Sequence, residues 1–133
     1  SSWGAYCPVQ MIWQHPEQVV NPRLRMREVI LEGDGIEERI IHGLGIEEDW
    51  MNRYPAELSG GEMQRFCIAR ALGKRTRFIL ADEISTMLDL ITQSQLWSFL
   101  IQEVQQREIG LLAVSHSMPL LKSVCTRLHE MEK

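Results

Sequence analysis

Apolar positions along the chain fall into two periods, and the alternation between them sets out its elements. Between residues 25 and 57 the spacing is helical. Met26, Val29 and Ile30 share one face, ended by Gly33 and Gly35, and Ile36, Ile40, Ile41 and Leu44 share the next, ended by Gly45. Glu47 to Arg53 reads as a short acidic helix stopped before Pro55. A further helical run begins after Ser59, with Met63, Phe66, Cys67 and Leu72 on its apolar side. Leu96, Trp97, Leu100, Ile101 and Val104 form the stripe of a long helix that Asp89 can cap, with Gly110 placed just past its end. Between these lie short continuous apolar runs at Val9–Trp13, Phe78–Ala81 and Leu111–Val114, which predict buried strands. Pro119 opens a short helix through Val124, and Thr126 to Met131 predicts a last strand. Strands and helical runs follow one another in the manner of an α/β fold.

Two stretches near the middle carry candidate chemistry. Ser59 is a good N-cap, and Glu62, three residues later, completes a capping box. Gly60 and Gly61 leave the first helical turn without side chains, where backbone N–H groups are unpaired, so a phosphate can approach the positive helix end. By itself the same stretch also describes an ordinary capped helix. At the second stretch, Asp82 and Glu83 stand at the C-terminal end of a strand, the edge at which open α/β sheets bind ligands. An aspartate there can hold Mg²⁺, directly or through water, and the adjacent glutamate can polarise an attacking water. Taken alone, Asp-Glu after a strand equally suits a helix cap or a solvated turn.

In this order and spacing the two stretches resemble the ATP-binding-cassette (ABC) ATPase family. Leu58-Ser59-Gly60-Gly61-Glu62 is similar to its signature motif, Phe78 to Glu83 to its Walker B motif with the catalytic glutamate, and Ser85 to Asp89 to its D-loop. Gln10 to Pro16 resembles the Q-loop, with Gln14 as its glutamine, and Ser115-His116-Ser117 resembles the H-switch. An isolated glutamine after a strand is otherwise a surface residue, and a lone histidine there a hydrogen-bonded turn residue. The resemblance implies a partial P-loop NTPase core of ABC type, with parallel strands and flanking helices, plus a small helical subdomain. The expected boundaries are 1–24 for the Q-loop strand and loop, 25–74 for the helical subdomain ending in the signature helix, and 75–133 for the core.

The resemblance also implies roles. Two such domains would close head to tail around ATP and Mg²⁺. Asp82 would hold the metal, with Gln14 sensing it and the γ-phosphate. Glu83 would polarise the water, and His116 would orient it. Ser59, Gly60, Gly61 and the Glu62 position would meet the nucleotide of the opposite protomer, and Asp89 would bridge the dimer. The implied partners are a second ABC ATPase protomer and transmembrane permease subunits. The implied location is cytoplasmic, peripheral on the inner face of the cell membrane.

Asn21-Pro22-Arg23, Arg53-Tyr54-Pro55 and Asp89 to Leu96 resemble runs in the oligopeptide, dipeptide and nickel importer branch. Ile84 and Ser85 stand where the family usually has Pro-Thr, Met87 replaces a small residue, and Glu62 replaces glutamine, yet none of these removes a catalytic group. Gly-x-x-x-x-Gly-Lys-[Ser/Thr], whose backbone cradles phosphates, does not occur. Gly73-Lys74 is the only Gly-Lys, but Ile68 stands where the motif needs its first glycine and Arg75 where it needs Ser or Thr, and the pair lies at the end of a helix rather than its start. The resemblance implies that Ser1 follows the Walker A helix and that the residues present are inactive alone. It also suggests an exposed or distorted seam between the strand of Asp82 and that of His116, where a Walker A strand was expected to lie. Two rival readings remain: a non-transport ABC-type ATPase, such as a repair or translation factor, and a non-enzymatic interaction fragment.

Composition narrows the classes further. The 133 residues suffice for one domain with a core; 44% are apolar and 24% charged, as in ordinary globular proteins. Fourteen basic and eighteen acidic residues give a net charge of −4, so a nucleic-acid partner is not expected. Cys7, Cys67 and Cys125 suit reduced thiols, having neither zinc nor disulfide spacing, and His15, His42, His116 and His129 show no metal-ligand spacing.

Overall fold

The computed structural model describes residues 8–13, 15–18, 20–82 and 90–114. The three expected strands are present as β1 (Val9–Ile12), β2 (Phe78–Asp82) and β3 (Gly110–Val114). The helices are α1 (Met26–Leu31), α2 (Glu38–Gly43), α3 (Gly60–Ala71) and α4 (Leu90–Gln106). The sheet has the order β1-β2-β3 and is parallel throughout. All three strand C-termini therefore leave from one edge.

Register divides the sheet into two faces. Rows Gln10–Ile79–Leu111 and Ile12–Ala81–Ala113 share one face, on which Ile12, Ile79 and Ala81 are buried. Rows Val9–Phe78–Gly110 and Met11–Leu80–Leu112 share the other, where Val9, Phe78 and Leu112 are exposed. The covered face continues into the core through Met26, Val29, Ile40, Leu44, Phe66, Ile68, Leu72, Trp97 and Leu100. Each side chain of this size contributes about 1.5–3 kcal/mol by leaving water.

The expected seam between the strands of Asp82 and His116 is not found. β2 and β3 pair directly, from Phe78↔Gly110 through Asp82↔Val114. Strands consecutive in sequence are usually neighbours, and α4 is long enough to make the crossover between them. The Phe78 ring lies over the bare backbone of Gly110, where a Cβ would stand 2.5 Å from its Cδ2. Among the described residues β3 has a single neighbour, so the open ladder position lies on its outer edge rather than between it and β2.

Three smaller expectations also change. The first strand stops at Ile12, leaving Trp13 outside the ladder. The acidic segment forms a 3₁₀ turn, Glu48–Asn52, rather than an α-helix, as short pieces often do, and it buries Trp50 against Phe66. Gly110 does not end the long helix but starts β3. The left-handed position is taken by Glu108, with φ 54°. The Ile109 N–H donates to Val104 O at 2.8 Å and the Glu108 N–H to Gln105 O at 3.4 Å, which is a Schellman closure. Gly45, with φ 70°, fills the same position after α2, as its sequence suggested.

Ion pairs fasten the α1–α2 segment to the elements around it. Asp34 accepts from the backbone N–H, Nε and Nη2 of Arg75, at 2.9, 2.9 and 3.0 Å. Arg39 on α2 donates to Glu103 of α4, whose side chain is almost fully buried. Arg107 lies 3.8 Å from the second oxygen of Glu103 and donates to the carbonyls of Leu72 and Gly73, closing the C-terminal end of α3.

Candidate nucleotide site

The candidate site is built at the start of α3 and at the C-terminal edge of the sheet. Ser59 has extended backbone, φ −71° and ψ 165°, as an N-cap requires. Its Oγ accepts from the Glu62 N–H at 3.1 Å, while Glu62 Oε1 accepts from the Ser59 N–H at 2.9 Å, so the capping box is made in both directions. The Met63 N–H donates to Ser59 O. Among the described residues nothing accepts from the N–H groups of Gly60 and Gly61. Both glycines are partly solvent-accessible. Two free donors at the positive end of a twelve-residue helix, with no side chain before them, suit a phosphate oxygen.

Glu62 adds a feature that opposes this. Its carboxylate sits in the first turn of α3, with Arg53 Nη1 4.0 Å away and a second arginine contact of Arg53, at 2.9 Å, going to Asp49. The negative charge favours the helix end and disfavours a second anion beside it.

At the sheet edge, β2 ends at Asp82, which is partly buried and level with Val114 of β3. The β1–β2 ladder ends where Ile12 pairs with Ala81, and Trp13 and Asp82 are the next residues of the two segments. Gln14, Glu83 and His116 follow these strand ends within two positions. They lie outside the described residues, as does Asp89, which immediately precedes α4. The parallel register thus brings the strand ends Ile12, Asp82 and Val114, which Gln14, Glu83 and His116 follow in the sequence, to one side of the sheet. Among the described residues Asp82 is the one carboxylate at this edge, which suits Mg²⁺, a cation that takes few protein ligands and completes its shell with water and phosphate oxygens. The expected short helix to Val124 and strand to Met131 also lie outside the described residues.

Sequence reading missed one residue here. Gln64 is 3% exposed, and its Nε2 donates to the Trp13 carbonyl at 3.4 Å. A glutamine within a helical pattern reads as a surface residue. Its one sequence signal is its place four residues before buried Ile68.

A parallel sheet with helices packed against it is the architecture of an α/β protein, in which ligands bind at the C-terminal ends of the strands. The family follows from comparison: the ABC transporter family profile matches residues 7–86, and the chain belongs to that family. Over 90% of its length the chain is 33% identical to YkfD of Bacillus subtilis, provisionally named an oligopeptide transport ATP-binding protein. It is 32% identical to the dipeptide transport ATP-binding protein DppF of Lactococcus lactis, again over 90% of its length. It spans 40% and 42% of those two proteins. The fold is that of ABC ATPase cassettes. The dimeric post-hydrolysis state of the ATP-binding cassette MJ0796 bound to ADP and Pi superposes with a TM-score of 0.70, at 25% identity, over 84% of this chain and 53% of that one.

Proposed function

We propose that this chain is part of the ATP-binding and ATP-hydrolysing subunit of an ABC transporter that takes up peptides. The observation that carries the reading is the pairing of two features: an open, capped helix start at Ser59–Glu62, and three parallel strands whose C-terminal ends, Ile12, Asp82 and Val114, share one edge of the sheet. Support for the peptide substrate comes from relatives whose names carry oligopeptide or dipeptide transport. ATP and Mg²⁺ are the proposed ligands, and ATP supplies the phosphoryl group whose transfer to water drives transport.

In this reading Asp82 holds the metal from the tip of β2, and Gln14 approaches it from the end of β1. Glu83 takes the proton of the attacking water, and His116 orients that water. Ser59, Gly60 and Gly61 hold phosphate oxygens presented by a second protomer, with Glu62 shaping that turn, and Asp89 crosses the dimer interface. Catalysis is then positioning and charge stabilisation. Residues 25–74 form the unit that faces the permease, and residues 75–133 the core. The subunit works on the cytoplasmic face of the membrane. No helix among the described residues is long and apolar enough to cross a membrane.

The test is ATP turnover with a Walker A-bearing N-terminal half joined to the chain. Hydrolysis is expected, and Glu83→Gln should stop it while ATP stays bound. Equal turnover in that variant removes Glu83 as the base.

A further inference from the structure

α3 buries almost its whole circumference: Met63, Phe66, Cys67, Ile68, Ala69 and Ala71 are all within the core. Gln64 is buried among them, at 3% exposure. A primary amide at such a position costs free energy unless its donors and acceptors are matched, and an apolar residue would serve packing better. Its Nε2 reaches 3.4 Å to the carbonyl of Trp13. That carbonyl lies just beyond the β1–β2 ladder, which ends at Ile12↔Ala81. A backbone acceptor past the end of a ladder needs a partner from elsewhere.

The position of this hydrogen bond is what matters for function. Gln64 follows Gly60 by four residues and Gly61 by three, so it lies on the same side of α3, one turn inside the glycine-bare start. Trp13 is the residue immediately before Gln14. One side-chain amide therefore joins the helix that presents the anion-binding turn to the backbone that presents the candidate metal-sensing glutamine.

We propose that Gln64 is a positioning residue that locks the start of α3 to the end of β1, so that the turn at Ser59–Gly61 and the Trp13 backbone shift together. This rests on the reading of Ser59–Gly61 and Gln14 as parts of one ATP site. Gln64 touches no nucleotide in this arrangement and acts only through the two segments it joins.

Amide hydrogen exchange on the full chain without nucleotide reads the link independently of whether ATP is hydrolysed. Gln64→Met keeps volume and helix propensity but removes the donor. It should speed exchange at residues 13–15 and in the first turn of α3, and leave the β2–β3 ladder as in the unsubstituted protein. Unchanged exchange at 13–15, or equal acceleration throughout, overturns the proposal. Should Gln64→Met fail to fold, the unsubstituted chain still decides. The side-chain amide protons of Gln64 should exchange well behind those of exposed Gln105, and equal rates overturn the link. With ATP turnover restored by a Walker A half, Gln64→Met should lower kcat roughly tenfold and leave KM within about twofold. A raised KM with kcat intact contradicts a positioning role, whereas no turnover in the unsubstituted protein contradicts only the ATPase reading.

Discussion

Glu62 performs two tasks that pull against each other. Its carboxylate completes the capping box with Ser59, and its charge sits beside the turn that would receive a phosphate. Glutamine has the same reach and an amide oxygen that can accept the same Ser59 N–H, without the charge. Glu62→Gln is therefore expected to leave thermal stability nearly unchanged and to tighten nucleotide-dependent association a few-fold at low ionic strength, with the gain shrinking as salt is added. A sedimentation titration against ATP, with a Walker A half joined to the chain and repeated at two salt concentrations, checks this. Asp34 shows a different balance. Its side-chain hydrogen bond with Arg75, aided by the backbone N–H and the positive charge, outweighs burial and holds its carboxyl below the usual 3.8. A carboxyl depressed on folding stabilises the fold fully above its ordinary value, and that contribution is lost as pH falls through the folded value. Asp34→Asn should therefore be less stable than the natural protein near neutral pH, and the two melting curves should converge as pH drops below 3.8. Curves that stay equally separated at acid pH would contradict the link.

At the scale of elements, how each helix ends separates what the sequence reveals from what it hides. Gly45 after α2 and Glu108 after α4 hold the same left-handed position, with φ 70° and 54°. Glycine announces such a turn, because it alone enters that region freely, whereas glutamate announces nothing. The sequence therefore pointed to the next glycine, Gly110, which is needed elsewhere, in the close approach to Phe78. Replacing Glu108 with glycine should relieve the strain and stabilise the protein by about 1 kcal/mol, as equilibrium denaturation would show. A loss of stability would mean that the glutamate side chain contributes more than the strain costs. The periodic helices and the three apolar strands were legible because burial imposes their spacing. Gln64 was not legible as a buried residue, because its partner is a backbone carbonyl 51 positions away that no local pattern can reveal. Arg39 and Glu103 were hidden for the same reason, since charges on two helices read as solvated faces until packing brings them together.

For the whole molecule, strand order matters more than any single motif. The expected gap between the strand of Asp82 and the strand leading to His116 is absent. Direct pairing of β2 with β3 closes that gap, and among the described residues the open edges of the sheet are the outer sides of β1 and β3. The consequence for the site is favourable: the strand ends leading to Gln14, Glu83 and His116 are adjacent without any rearrangement. The start of α3 serves a nucleotide in this reading only when a second protomer presents one. The most direct measurement is therefore the molar mass, by sedimentation equilibrium, of the Glu83→Gln protein carrying a Walker A half, with ATP and with ADP. The account predicts a dimer with ATP, a monomer with ADP, and a monomer with either when Gly61→Asp places a carboxylate in the first turn of α3. A mass that does not respond to ATP, or an ATP-dependent dimer that survives Gly61→Asp, would contradict it.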